Sequence, residues 1–281
     1  MVHKNGSFIF LQLWATGRTA KPEVLQEEGG YAVVAPSPIP LISQRADAPS
    51  PPPVPHALTV EEIREYVQLY ATAARNAVHG AGFDGVEIHA ANGYLPDQFL
   101  QTNTNTRTDS YGGSMENRLR FVLEITEAVV NAVGGANKVG IRFSPWSTMH
   151  GVCIRRRALL PLFFVVMDDE EFLLFAEMRM LDPLPTFVEV VKRIRVRYPD
   201  FAYLHIIEPT PHLGPDGEGN TDSSKPLRDI WGDGAYIANS EFGRDSAIEV
   251  VEREGGLVSF SRHFISNVSK IFFSFTDLQG H

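Results

Sequence analysis

The chain is poor in cysteine, in positive charge and in long apolar runs. Its 281 residues include one cysteine, Cys153, so no internal disulfide can form. A lone thiol fits a reducing compartment, and a cytoplasmic location is expected. Acidic side chains outnumber basic ones 34 to 25, a net charge of −9. Such a chain offers no electrostatic footprint for nucleic acid. The longest apolar run, residues 158–167, contains Pro161. It falls short of the roughly 20 residues that cross a bilayer, so no membrane partner is expected. The first residues carry one lysine before a short apolar run and no small-residue cleavage site, so no secretory leader is expected. No internal repeat is found, and no metal site is expected. What is present, 43% hydrophobic and 21% charged, suffices for a soluble globular chain with a large buried core.

Strand-like and helix-like patterns alternate along the chain. Residues 8–14, FIFLQLW, read as a buried strand bounded by glycines. Residues 85–89, 139–143, 201–207, 236–239 and 257–260 are further short strands, giving six. Residues 18–58, with a proline-rich run at 49–55, lack either period and read as a loop over the mouth of the sheet. Thr59 with Glu62 makes a capping box for a helix whose stripe is Ile63, Tyr66, Val67, Tyr70, Ala74 and Ala77. Ser114 caps a second helix, ended by Gly134 and Gly135; a third spans 186–196; Asp245 caps a fourth with Ala247, Ile248 and Val251 inward. This alternation predicts a parallel sheet.

The stretch 84–94, DGVEIHAANGY, concentrates the chemistry. A short buried strand ends in His89, followed by Asn92 and Tyr94. In a (β/α) barrel such residues face the active site. A histidine and an asparagine can both donate to one oxygen, and a tyrosine hydroxyl beside them can give up a proton. A polar strand-to-helix turn without chemistry is the plainer alternative. Gln12 and Arg142 sit inside apolar strands, where a polar side chain needs a partner. Backbone groups could satisfy Gln12, and an acidic neighbour could pair with Arg142. Arg142 otherwise calls for an anion.

The run HAANGYLPDQFLQTNTNTRTDSYGGSMENR, from His89 to Arg118, resembles the old yellow enzyme family of FMN-dependent ene-reductases, in a fungal type. The resemblance covers roughly residues 2–151 and 181–267. It implies an α/β fold, a (β/α)8 TIM-type barrel. It implies FMN as cofactor, NADPH as reductant, and reduction of the C=C bond of an enone or enal. It implies that His89 and Asn92 bind the substrate oxygen and that Tyr94 is the catalytic proton donor. Gln12 and Arg142 would contact the flavin ring, and Ser261 and Arg262 the FMN phosphate.

The chain departs from the family pattern in four places. The family has two strands before the one at 8–14, so a single incomplete barrel of six strands is expected over residues 1–281, truncated or from an aberrant gene model. Residues 152–180 read as an atypical insertion and 268–281 as an atypical tail. Asn239, Ser240, Glu241 and Ser261 stand where glycines are usual. Two alternatives to the ene-reductase follow: a non-catalytic truncated paralogue that binds flavin poorly or not at all, and a flavin-free small-molecule binder. Both would be colourless.

Overall fold

In the computed structural model, which describes residues 2–41, 51–147, 180–209 and 222–260, the alternation resolves into parallel strands with helices on their outer face. In chain order the elements are β1 (Phe10–Leu13), α1 (Pro22–Glu27), β2 (Val34–Ala35), β3 (His56–Ala57), α2 (Val60–Arg75), β4 (Gly85–Ala90), α3 (Leu95–Leu100) and α4 (Met115–Val133). Then come β5 (Val139–Phe143), α5 (Leu184–Arg197), β6 (Tyr203–Ile207), α6 (Lys225–Trp231), β7 (Tyr236–Asn239), α7 (Arg244–Glu254) and β8 (Leu257–Val258). A six-stranded sheet has the order β1-β4-β5-β6-β7-β8, and every pair is parallel. β2 and β3 form a separate two-stranded pair.

Strand parity divides the sheet into two faces. Val86, Ile88, Ala90, Ile141, Phe143, Leu204 and Ile206 are fully buried in the core. The same core takes Ile63, Val67, Tyr70 and Ala74 of α2 and Leu119, Val122, Ile125 and Val129 of α4. Both helices begin as their sequences require. Thr59 Oγ1 accepts from Glu62 N at 3.2 Å while the Glu62 carboxylate accepts from Thr59 N at 2.7 Å. Ser114 Oγ accepts from Asn117 N at 3.3 Å, and Gly134, at φ 79°, closes α4.

The sheet curls towards its polar face. β4 and β6 are separated by β5, yet His205 of β6 bonds Glu87 of β4. Phe10 of β1 meets Tyr203 of β6 at a ring distance of 5.4 Å. Gly140 leaves room for the Tyr203 ring. It stands opposite Glu87 and Tyr203, and a Cβ there would overlap the Tyr203 ring. A strand without a side chain lets its neighbours meet across it. The fold is that of a (β/α)8 barrel represented by six strands, with β1 and β8 at the sheet's edges among the described residues.

Several expectations need correction. The strand expected over 8–14 is regular only at Phe10–Leu13, and Leu13 alone is buried; Phe8 and Trp14 are 80% and 58% exposed. An edge strand packs against one neighbour, so its aromatics gain less cover than composition suggests. The connection 18–58 contains α1, β2 and β3. α7 starts at Arg244 with Gly243 as its N-cap, Asp245 lies in its first turn, and Val251 is exposed. The last strand shortens to Leu257–Val258. Ser261, Arg262, the tail 268–281 and all of the segment 152–180 but Met180 lie outside the described residues. Met180 is buried and donates its backbone N–H to Gln101 Oε1 at 3.0 Å.

If Gly140 permits the curl, Gly140→Ala destabilises the chain by about 1–3 kcal/mol, the usual cost of overpacking. Gly80→Ala, where a Cβ meets nothing, changes stability by less than about 1 kcal/mol. Urea unfolding of the two variants side by side checks this; equal midpoints would contradict it.

Candidate functional site

The polar face carries ionisable groups at the C-terminal halves of the strands. Register sets His89 opposite Arg142 and Arg142 opposite His205. Gln12 lies opposite Glu87. The Glu87 carboxylate, 7% exposed, accepts from Gln12 Nε2 at 2.5 Å and pairs with His205 Nδ1 at 2.8 Å. His205 Nε2 continues to Ser259 Oγ at 3.0 Å. Four segments, β1, β4, β6 and the residues after β8, are thus laced together inside the curl. Arg142 Nη2 donates to Asn239 Oδ1 at 2.7 Å, and Asn239 Nδ2 donates to the Ser259 carbonyl at 3.2 Å.

Charge is distributed unevenly through this layer. Burial pushes the Glu87 carboxyl up, but the His205 and Gln12 hydrogen bonds and the Arg142 charge carry it below its ordinary value. It is therefore a carboxylate at neutral pH. His89 is lowered to about 4, by burial first and then by Arg142. It is a neutral imidazole at pH 7. The Tyr94 hydroxyl is raised by burial, with Arg142 pulling the other way, so it keeps its proton. Two buried atoms, His89 Nδ1 and Arg142 Nε, have no hydrogen-bond partner. Buried polar groups are nearly always bonded, so these two nitrogens are available to a polar ligand.

The turn after β4 presents the remaining side chains. Asn92 has φ 56°, a left-handed conformation that asparagine tolerates better than most residues, and Gly93 follows at φ 75°. The Asn92 N–H donates to Ser144 Oγ at 2.6 Å, fixing the turn to the end of β5. Tyr94 is the N-cap of α3. Its ring packs edge-on against His89 at 4.8 Å and against Trp14 at 5.0 Å. Behind it Asp97, 1% exposed, accepts from Gly93 N at 2.9 Å and from Gln101 Nε2 at 3.1 Å. Burial raises its carboxyl to about 7, against those hydrogen bonds and the Arg18 charge.

Of the residues singled out in the sequence, Gln12, His89, Asn92, Tyr94 and Arg142 come together in this layer and the turn above it. Ser261 and Arg262 are outside the described residues. Sequence reasoning passed over Glu87 and His205, and took Asn239 only as a residue standing where glycine is usual. Glu87 and His205 carried a usable signal: each is a polar residue at the inward parity of an apolar strand, in VEIH and YLHII.

His89 and Asp97 titrate with opposite consequences. The folded state holds His89 near 4, below the ordinary 6.5, so its contribution to stability falls as pH drops through that window. It holds Asp97 near 7, above the ordinary 3.8, so that contribution rises as pH drops from about 7 to 4. Against His89→Gln, the wild type should lose relative stability on acidification from pH 6.5. Against Asp97→Asn it should gain. Each slope is bounded by about 1.4 kcal/mol per pH unit. Urea unfolding across pH 4–7 checks both, and slopes of one sign would contradict the assignment.

A family model described as NADH:flavin oxidoreductase / NADH oxidase matches residues 1–169. A chanoclavine-I aldehyde reductase of Penicillium roqueforti is 42% identical over 270 residues, 95% of this chain and 63% of the relative. A probable inactive dehydrogenase of Claviceps purpurea is 41% identical over 280 residues, with the same coverage. The chain thus spans about 63% of the length of these relatives. Among solved structures, the old yellow enzyme homologue of Zymomonas mobilis superposes with a TM-score of 0.75 at 29% identity, over 98% of this chain and 68% of that one. A morphinone reductase in complex with tetrahydroNAD gives 0.71 at 32% identity, over 94% and 64%. No helix among the described residues is long and apolar enough to cross a membrane. With a matching family model over more than half of its length and these structural neighbours, the chain belongs to the NADH:flavin oxidoreductase / NADH oxidase family, among the old yellow enzymes, whose cofactor is FMN.

Proposed function

We propose that the chain carries the site of an FMN-dependent ene-reductase, reducing the C=C bond of an α,β-unsaturated carbonyl at the expense of NADPH. The observation that carries this reading is the pair of unpartnered buried nitrogens, His89 Nδ1 and Arg142 Nε, beside the protonated Tyr94 hydroxyl. Gln12 and Arg142 would hold the flavin, with Ser261 and Arg262 toward its phosphate. Bound there, reduced FMN supplies the hydride.

The residues of this chain do the rest. His89 and Asn92 bind the carbonyl oxygen of the substrate. Because His89 is neutral, it contributes a hydrogen bond without neutralising the site. As the β-carbon is reduced, negative charge moves onto that oxygen, and fixed donors stabilise the developing charge. Arg142 adds a positive charge close enough to be felt by both His89 and Tyr94. Tyr94 then gives its proton to the α-carbon. A phenol that retains its proton at neutral pH suits that task. The aldehyde-reductase name of the Penicillium relative fits a small carbonyl substrate.

One observation favours a second reading, a paralogue without activity. The Claviceps relative is named as a probable inactive dehydrogenase. Tyr94→Phe separates the two in stopped-flow work on flavin-loaded protein. Ene-reduction predicts that reoxidation by an enone slows about 10²–10⁴-fold while reduction by NADPH changes less than about twofold. Equal slowing of both half-reactions would assign Tyr94 a structural role, and absence of any turnover in the wild type would favour the inactive paralogue.

Oxygen binding has its own test. Donors that stabilise an oxyanion lower the pKa of a bound phenol. 4-Nitrophenol should bind as its phenolate, and the combined His89→Ala and Asn92→Ala variant should lose this by at least about 10-fold. Unchanged binding in that variant would reject the role of the pair.

A further inference from the structure

The Asn92–Tyr94 turn has no regular secondary structure to hold it, yet two of the side chains that matter hang from it. Its backbone is gripped from α3 on both sides. Asp97 takes the Gly93 N–H, and Gln98 Nε2 gives a hydrogen bond to the Gly93 carbonyl at 2.8 Å. The same Gln98 amide reaches a distant segment, the turn that follows β1. Its Nε2 lies 3.3 Å from the Thr16 carbonyl, and its Oε1 accepts from Arg18 N at 3.3 Å. Gln98 is fully buried. Gly17, at φ 61°, sits directly against it, and a Cβ at that position would overlap the amide atoms. Two further contacts tie the same segments together. Leu95 N donates to the Ala15 carbonyl at 3.0 Å, and the Tyr94 ring meets Trp14.

This arrangement differs from a buried glutamine that merely satisfies a helix end. One amide serves backbone groups from two segments about eighty residues apart, 82 to Thr16 and 80 to Arg18. One segment leads out of the strand that bears Gln12. The other carries Asn92 and Tyr94. We propose that Gln98 is the positioning residue that registers the Asn92–Tyr94 turn against the end of β1, and so sets the distance between the oxygen-binding side of the site and the Gln12 side. The functional part of this claim rests on the ene-reductase reading; the structural part does not.

The amide is irreplaceable because it must donate and accept at once. Gln98→Met keeps the volume and removes both functions. Gly17→Ala leaves Gln98 intact and pushes it from the far side. Two readouts on the full chain separate the claims. Hydrogen exchange at the Tyr94 and Leu95 amides reports on the turn, with the α2 and α4 amides as an internal standard. Absorbance titration with 4-nitrophenol reports on the oxygen site. Gln98→Met should speed exchange at Tyr94 and Leu95 at least about 10-fold while leaving α2 and α4 within about twofold. It should weaken nitrophenolate binding by about 10-fold, roughly 1.4 kcal/mol. Gly17→Ala should move both readouts in the same direction, and it decides the matter if Gln98→Met does not fold. Exchange at Tyr94 and Leu95 within twofold of wild type in a folded variant would overturn the proposal. So would faster exchange with unchanged nitrophenolate binding. Absence of nitrophenolate binding in the wild type would reject the oxygen site itself, and the exchange arm would then decide the structural claim alone.

Discussion

Four side chains that carry or can carry charge, Glu87, His89, Arg142 and His205, share the inward face of three neighbouring strands. Parallel register puts them side by side, and burial forbids leaving any charge unanswered, since an unpaired buried ion costs several kcal/mol. The layer solves this by giving three of them a fixed state. Glu87 is a carboxylate spanning Gln12 and His205, Arg142 is a cation bonded to Asn239, and His89 gives up its charge. Everything functional in the site follows from that distribution. A neutral imidazole and a nearby cation, each with a buried nitrogen that has no partner, remain beside the protonated phenol of Tyr94.

The same layer accounts for the shape of the sheet. The Tyr203 ring lies over Gly140, where a Cβ would overlap it, and from there it meets Phe10 of the edge strand. The network Gln12–Glu87–His205–Ser259 runs from the strand at one edge to the residues beyond the strand at the other. It draws the edges of a six-stranded sheet toward each other by side-chain bonds. The chain spans about 63% of its curated relatives while keeping a TM-score of 0.75 against an old yellow enzyme homologue over 98% of its own length. The shared part is therefore the backbone of the curved sheet and its helices.

The sequence announced some of this and concealed the rest for identifiable reasons. The strands and the helices α2 and α4 were legible because hydrophobic period and caps agree there: Thr59 with Glu62, Ser114, and Gly134 each do what their chemistry requires. His89, Asn92 and Tyr94 stood out because polar residues follow a buried strand in one short run. Glu87 and His205 did not, because the parity that marks each of them names no partner until the register across β5 brings the two within 2.8 Å, a relation between residues 118 apart. Burial of β1 was overestimated because composition cannot tell an edge strand from a central one. The role of Asp97 and Gln98 was hidden for a further reason. Their partners are backbone atoms of a turn, and backbone groups leave no trace in a pattern of side chains.

The central claim is that the orphaned nitrogens of Arg142 and His89 face a bound flavin and its substrate. Titrating the folded chain with FMN, and following the flavin absorption spectrum for wild type and Arg142→Ala, tests it most directly. The account predicts a perturbed, saturable flavin spectrum with the wild type and at least about 10-fold weaker binding once the guanidinium is removed. A free-flavin spectrum at every FMN concentration, or equal affinity in Arg142→Ala, would contradict it.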